Sequence, residues 1–79
     1  MSYESSPALS YAAVTPHNTT NLANVARSLY VGTGGDVVAV TPEGTAVTFT
    51  GVVGGTVLPI KVLRVNSTNT TASNIVALF

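Results

Sequence analysis

From Arg27 to Phe79 the chain alternates short apolar runs with glycine-rich or polar breaks. The runs Ser28–Val31, Asp36–Val40, Ala46–Thr50, Thr56–Val65 and Asn74–Phe79 have the length and β-branched content of strands. Between them stand Gly32-Thr33-Gly34-Gly35, Pro42-Glu43-Gly44, Gly54-Gly55 and the polar tract Asn66–Ser73, which read as turns and a surface loop. Period-two patterning puts Leu29 and Val31 on one face of the first run and Tyr30 on the other. In the third run Val47 and Phe49 point inward; in the fourth, Leu58, Ile60 and Val62 share a face. The second run is apolar at Val37, Val38, Ala39 and Val40, the pattern of a strand covered on both sides. The expected core is Leu29, Val31, Val38, Val47, Phe49, Leu58, Ile60, Val62 and Ile75, with Phe49 at its centre.

The punctuation adds topology. Pro42-Glu43-Gly44 has the residues of a tight turn, so Asp36–Thr41 and Thr45–Thr50 form an expected hairpin. Pro59 sits inside the longest run, where it requires an edge, a strand start or a bulge. Val52-Val53 is bracketed by Gly51 and Gly54-Gly55 and reads as a bulge or wide turn. The expected fold class is all-β, a small antiparallel sandwich or barrel of about five to six strands.

Residues 1–25 follow a different rule. Ser, Thr, Asn, Ala and Pro dominate, and Tyr3, Leu9, Tyr11 and Val14 recur at no single period. Pro7 and Pro16 bias the residues before them toward extended backbone. Two readings stand: a flexible tail, or an extended arm that lies across a neighbouring subunit with Tyr3, Leu9, Tyr11 and Val14 as contacts. A short helical turn within Asn18–Ser28, capped by Thr20 or Asn21, is a further expectation. The division is thus an arm over 1–25 and a β domain over 26–79.

Composition sharpens the picture. The chain has 79 residues and no cysteine, so a small domain has no disulfide to hold it. Below about 70–80 residues a single core seldom suffices without a staple, which leaves association with other chains. Three basic and three acidic residues give zero net charge, and only 8% of residues are charged. Soluble domains average about 25%, so this surface suits burial against neighbours. Arg27, Lys61 and Arg64 cannot build a stripe for nucleic acid. The segment Met1–Pro7 has neither the basic nor the apolar region of a signal peptide, and no apolar run reaches membrane-spanning length. No nucleic-acid, membrane or cofactor partner is expected. The sequons at Asn18, Asn66 and Asn69 read as chance matches in a chain rich in Thr and Asn.

Catalytic chemistry lacks its parts. No thiol is available, His17 stands alone beside Pro16, and Glu4, Asp36 and Glu43 fall in the arm or in turns. No serine–histidine–acid set or metal-ligand spacing forms from these. His17 reads as structural or solvent-facing, and Asp36 as a side chain that bonds turn backbone. The glycine clusters contain no GxxxxGK[ST] pattern and precede no helix, so they are not a phosphate cradle. No catalytic or metal-binding residue is expected.

An ordered series of segments carries a resemblance. Tyr30-Val31-Gly32-Thr33-Gly34-Gly35-Asp36-Val37, Val47-Thr48-Phe49, Gly55-Thr56-Val57-Leu58-Pro59-Ile60 with Arg64-Val65, and Thr70-Thr71-Ala72-Ser73-Asn74-Ile75-Val76-Ala77-Leu78 resemble the small β-rich virion proteins of tailed phages and gene transfer agents. That family is described as head-spike base or capsid decoration proteins, and the resemblance spans residues 26–79. It implies a structural virion protein, made in the host cytoplasm and placed on the capsid exterior. In that role it would act as a cement protein bound to the major capsid protein and stabilising an icosahedral head as a homo-oligomer. A trimer fits that role and is the expectation; a pentamer fits the alternative, a vertex spike or fibre base. A glycan-binding receptor module, using exposed tyrosines, is the other alternative.

Overall fold

The computed structural model describes residues 10–79. Its regular structure is β throughout: β1 (Tyr11–Ala13), β2 (Ser28–Thr33), β3 (Gly35–Val40), β4 (Ala46–Val52), β5 (Thr56–Leu58), β6 (Arg64–Val65) and β7 (Ser73–Leu78). These strands make two antiparallel sheets, one in the order β1-β7-β2-β5 and one in the order β4-β3-β6. The chain is therefore a small β-sandwich, with apolar side chains of both sheets meeting between them.

Three departures from the expected elements have local causes. The run Thr56–Val65 is not one strand: it splits into β5 in the four-stranded sheet and β6 in the three-stranded sheet. Pro59 has no N–H for a ladder, and the Ile60 amide turns back onto the Leu58 carbonyl at 2.9 Å. The chain leaves one sheet there and enters the other, with Val62 bridging to Ala26 on the way. The segment Gly32–Gly35 is not a hairpin turn either. Gly32 and Thr33 continue β2, Gly35 opens β3, and Gly34 alone carries the chain between the sheets. Finally, Asn18–Ser28 holds no helix; its backbone donates to the sheet instead, Leu22 to the Leu63 carbonyl at 2.9 Å and Ala26 to that of Val62 at 2.9 Å.

The β3–β4 hairpin forms around Pro42-Glu43-Gly44, with Gly44 at φ 100° and the Thr41 and Thr45 backbones joined at 2.8 Å. Strand β3 is the centre of its sheet, and Val37 to Val40 are all buried. Only two of its residues, Ala39 and Val40, pair with β6. The polar tract that follows β6 completes the ladder with side chains. Thr70 Oγ1 accepts the Val38 amide at 3.0 Å and Thr71 Oγ1 accepts the Asp36 amide at 2.8 Å. The Thr71 and Ala72 amides both donate to the Asp36 carbonyl. Threonine hydroxyls thus stand where a longer β6 would have offered carbonyls, and β3 keeps no orphaned donor at these positions.

The core contains Leu29 and Val31 from β2, Val37 and Ala39 from β3, Val62 and Val65, and Ile75 and Ala77 from β7. Among the described residues no aromatic side chain is fully buried, and the largest enclosed groups are Leu29 and valines. Three residues expected inside, Phe49, Leu58 and Ile60, are half-buried at its margin. Val47 is corrected more sharply, at 45% exposed. It does point to the inner face, opposite Ala39, but β5 opposite is only three residues long and nothing roofs it.

The enclosed Leu29 is therefore worth more to stability than the larger Phe49. We expect Leu29→Ala to cost about 3 kcal/mol and Phe49→Ala about half as much. Urea unfolding of the two variants ranks them, and the reverse order would return Phe49 to the centre of the core.

Candidate interaction surface

The residues able to carry chemistry are spent on structure. His17 Nδ1 accepts the backbone amides of Thr19 and Thr20, each at 3.2 Å, and so closes a turn of the N-terminal segment. Asp36 Oδ1 accepts the Gly51 amide at 2.9 Å, where β4 bulges against β3 and Gly51 takes φ 68°. Arg64 Nη1 donates to Asn21 Oδ1 and Nε to Asn66 Oδ1, both at 3.0 Å. Among the described residues no group of three His, Cys, Asp or Glu could hold a metal. The glycine clusters serve close packing of backbone: a Cβ on Gly34 would lie 2.7 Å from the Val52 carbonyl oxygen, and one on Gly35 would lie 2.6 Å from the Ala72 nitrogen. These contacts hold the β2–β3 crossing against the Val52–Gly55 turn and the Thr70–Ala72 loop.

What the fold leaves for function is surface. The sandwich has two seams, and they differ. Along one, β1 and β6 are bound by residues 14–26: the Val14 amide donates to Ile75, His17 to Val65 and Leu22 to Leu63. Asn18 adds three bonds to the Ser67–Thr68 loop, and Val14 and Leu22 pack on the core. The described part of the expected arm is thus laid along its own domain. Along the other seam, β4 and β5 are open edges. Between the β3–β4 hairpin and the Ile60–Lys61 segment that follows β5, a cleft of about 110 Å³ is lined by Ala39, Val40, Val47, Phe49, Ile60 and Lys61.

The outer face of the four-stranded sheet is the second feature. Its registers align Ala13, Val76, Tyr30 and Val57 in one cross-strand row and Tyr11, Leu78 and Ser28 in the next. Tyr11 is 71% exposed, Val57 49% and Tyr30 38%. Neither row contains a charged residue. An outer sheet face on a free domain ordinarily alternates apolar-in with polar-out, so a charge-free apolar row facing out is a candidate contact surface.

Of the expected arm contacts, Tyr11 joins this face, Val14 turns inward, and Tyr3 and Leu9 lie outside the described residues. The sequence placed Tyr30 opposite Leu29 and Val31 but did not single out Val57, Val76 or Leu78. The missing signal was the register, since alternation alone does not say which outward residues line up across strands.

A chain in a solved structure titled "Capsid of native GTA particle computed with C5 symmetry" superposes with a TM-score of 0.85 at 40% sequence identity, covering 94% of this chain and 86% of that one. The chain belongs to that family, small virion proteins of the gene-transfer-agent and phage type. Coverage this broad leaves only about five residues unmatched, so the family likeness takes in most of residues 1–25 as well as the β domain. No protein-family profile and no curated protein matches the chain.

In this family member Asp36 acts as a clip on the β4 bulge. Asp36→Ala is expected to lower stability by about 1 kcal/mol, the worth of a single hydrogen bond at an exposed bulge. Thermal unfolding checks it; an unchanged midpoint would show the Gly51 bond to be dispensable.

Proposed function

We propose that the protein is a structural component of a phage-type particle, a decoration protein that binds the outer face of an icosahedral head and stabilises it as a homo-oligomer. The observation that carries this reading is the charge-free outer face of the β1-β7-β2-β5 sheet, combined with the 40% identity to a chain of a capsid particle. A face holding Tyr11, Tyr30, Val57, Val76 and Leu78 offers aromatic anchors of the kind that dominate interface energies. Set against the major capsid protein or a sister subunit, it would be removed from water. Each contact is small, and many copies on one lattice supply the stabilisation through avidity.

A second reading is a spike or fibre base at the vertices, for which the two open edge strands of the sandwich speak. A fivefold axis repeats any off-axis protein around it, and a small sandwich with open edges is suited to a ring. Copy number separates the two: one ring per vertex supports the spike base, and occupancy well beyond the vertices supports the cement.

The test is to add purified protein to particles stripped of it and measure occupancy. Tyr30→Asp places a charge in the middle of the outer face without touching the core. It is expected to reduce binding at least about tenfold, a loss of roughly 1.4 kcal/mol or more, and with it the heat resistance of the heads. Wild-type occupancy by Tyr30→Asp would overturn the assignment of this face.

A further inference from the structure

We propose that the open β4–β5 seam of each copy is closed by residues 3–9 of a second copy, added as a strand along β4. The asymmetry of the two seams is the starting point. One seam is sealed by the chain's own residues 14–26; the other exposes apolar interior, with Val47, Phe49 and Ile60 around the cleft. Strand β4 has seven residues, Ala46–Val52, with no charge and no proline among them. Edge strands are ordinarily blunted by such residues or by bulges; β4 has its bulge at Gly51, so the regular stretch Ala46–Phe49 is the template open to another strand.

The incoming segment matches in length and chemistry. Tyr3-Glu4-Ser5-Ser6-Pro7-Ala8-Leu9 also has seven residues, with apolar anchors near its two ends. Its one charge, Glu4, is opposite in sign to Lys61, the one charged residue lining the cleft. Pro7 is tolerated in a strand that becomes the new edge, where a missing N–H faces solvent.

Geometry favours a neighbour over the same molecule. The β1–β7 ladder runs up to Ser10, whose carbonyl accepts the Phe79 amide at 2.8 Å, so the described chain begins at the β1 edge. β1 and β5 are the two opposite edges of their sheet, and β4, whose Val47 and Phe49 line the cleft, is an edge of the other sheet. Copies set side by side bring the β1 edge of one against the β4–β5 edge of the next. Extended at about 3.3 Å per residue, the segment reaches far enough to lie along the neighbour's β4. Because two different edges meet, the contact is head-to-tail, and it repeats as a ring where the rotation between copies closes.

The chain has no cysteine, so single thiols can be placed without background. Glu4→Cys protein is mixed with Lys61→Cys protein under mild oxidation, beside a control mixture of Glu4→Cys with Asn69→Cys. Linked dimers in the first mixture are expected at least about tenfold above the control, because docking raises the local thiol concentration. A yield equal to the control would overturn the proposal. So would a chain carrying both Glu4→Cys and Lys61→Cys that closes on itself as a monomer, since that puts the segment in its own cleft. The assay uses isolated protein, so its failure would leave the shell-binding reading standing.

Discussion

Strand β3 is where the sandwich is held together. Val37, Val38, Ala39 and Val40 are enclosed in succession, so both faces of one strand are withdrawn from water. That arrangement obliges every backbone group of β3 to find a partner, because an unpaired buried amide costs as much as the burial of a side chain returns. The partners come from three sources: β4 along one edge, two residues of β6 along the other, and threonine hydroxyls of the 70–71 loop where β6 runs out. The polar tract between β6 and β7 is therefore part of the sheet in energetic terms, although its backbone is not a strand.

The same constraint explains why the domain is unfinished. A core of valines, alanines and Leu29, with aromatic side chains only at its margin, encloses little volume. The chain's early segment seals one side of it, and the short β5 leaves the other side open. The outer face of the four-stranded sheet then adds apolar area with no charge to favour solution. A free monomer gains nothing from either feature. A subunit packed against neighbours does, and the similar chain belongs to the structure of a capsid particle.

Much of this was legible in the residues, and the limits are instructive. The all-β class, the β3–β4 hairpin and the double-sided burial of β3 follow from alternation and turn chemistry, which are local. The break at Pro59 was signalled by the proline but not resolved, because a proline says that a ladder is interrupted without saying which sheet receives the chain. Val47 faces inward as its alternation demanded, yet it is exposed because burial depends on the length of β5, the next strand in sequence. Gly34 and Gly35 look like turn glycines, but their role is close backbone approach to Val52 and Ala72, a long-range fact that spacing does not encode. The contact face was hidden for the same reason: Tyr30, Val57 and Val76 become a row only when three strands are in register.

The central claim is that this domain draws part of its stability from contacts between copies or with the shell. Thermal unfolding followed across a wide dilution series tests it most directly. The account expects the midpoint to rise with protein concentration, as mass action requires when association stabilises the fold. A midpoint independent of concentration, for a species that sediments as a monomer and unfolds cooperatively, would contradict it.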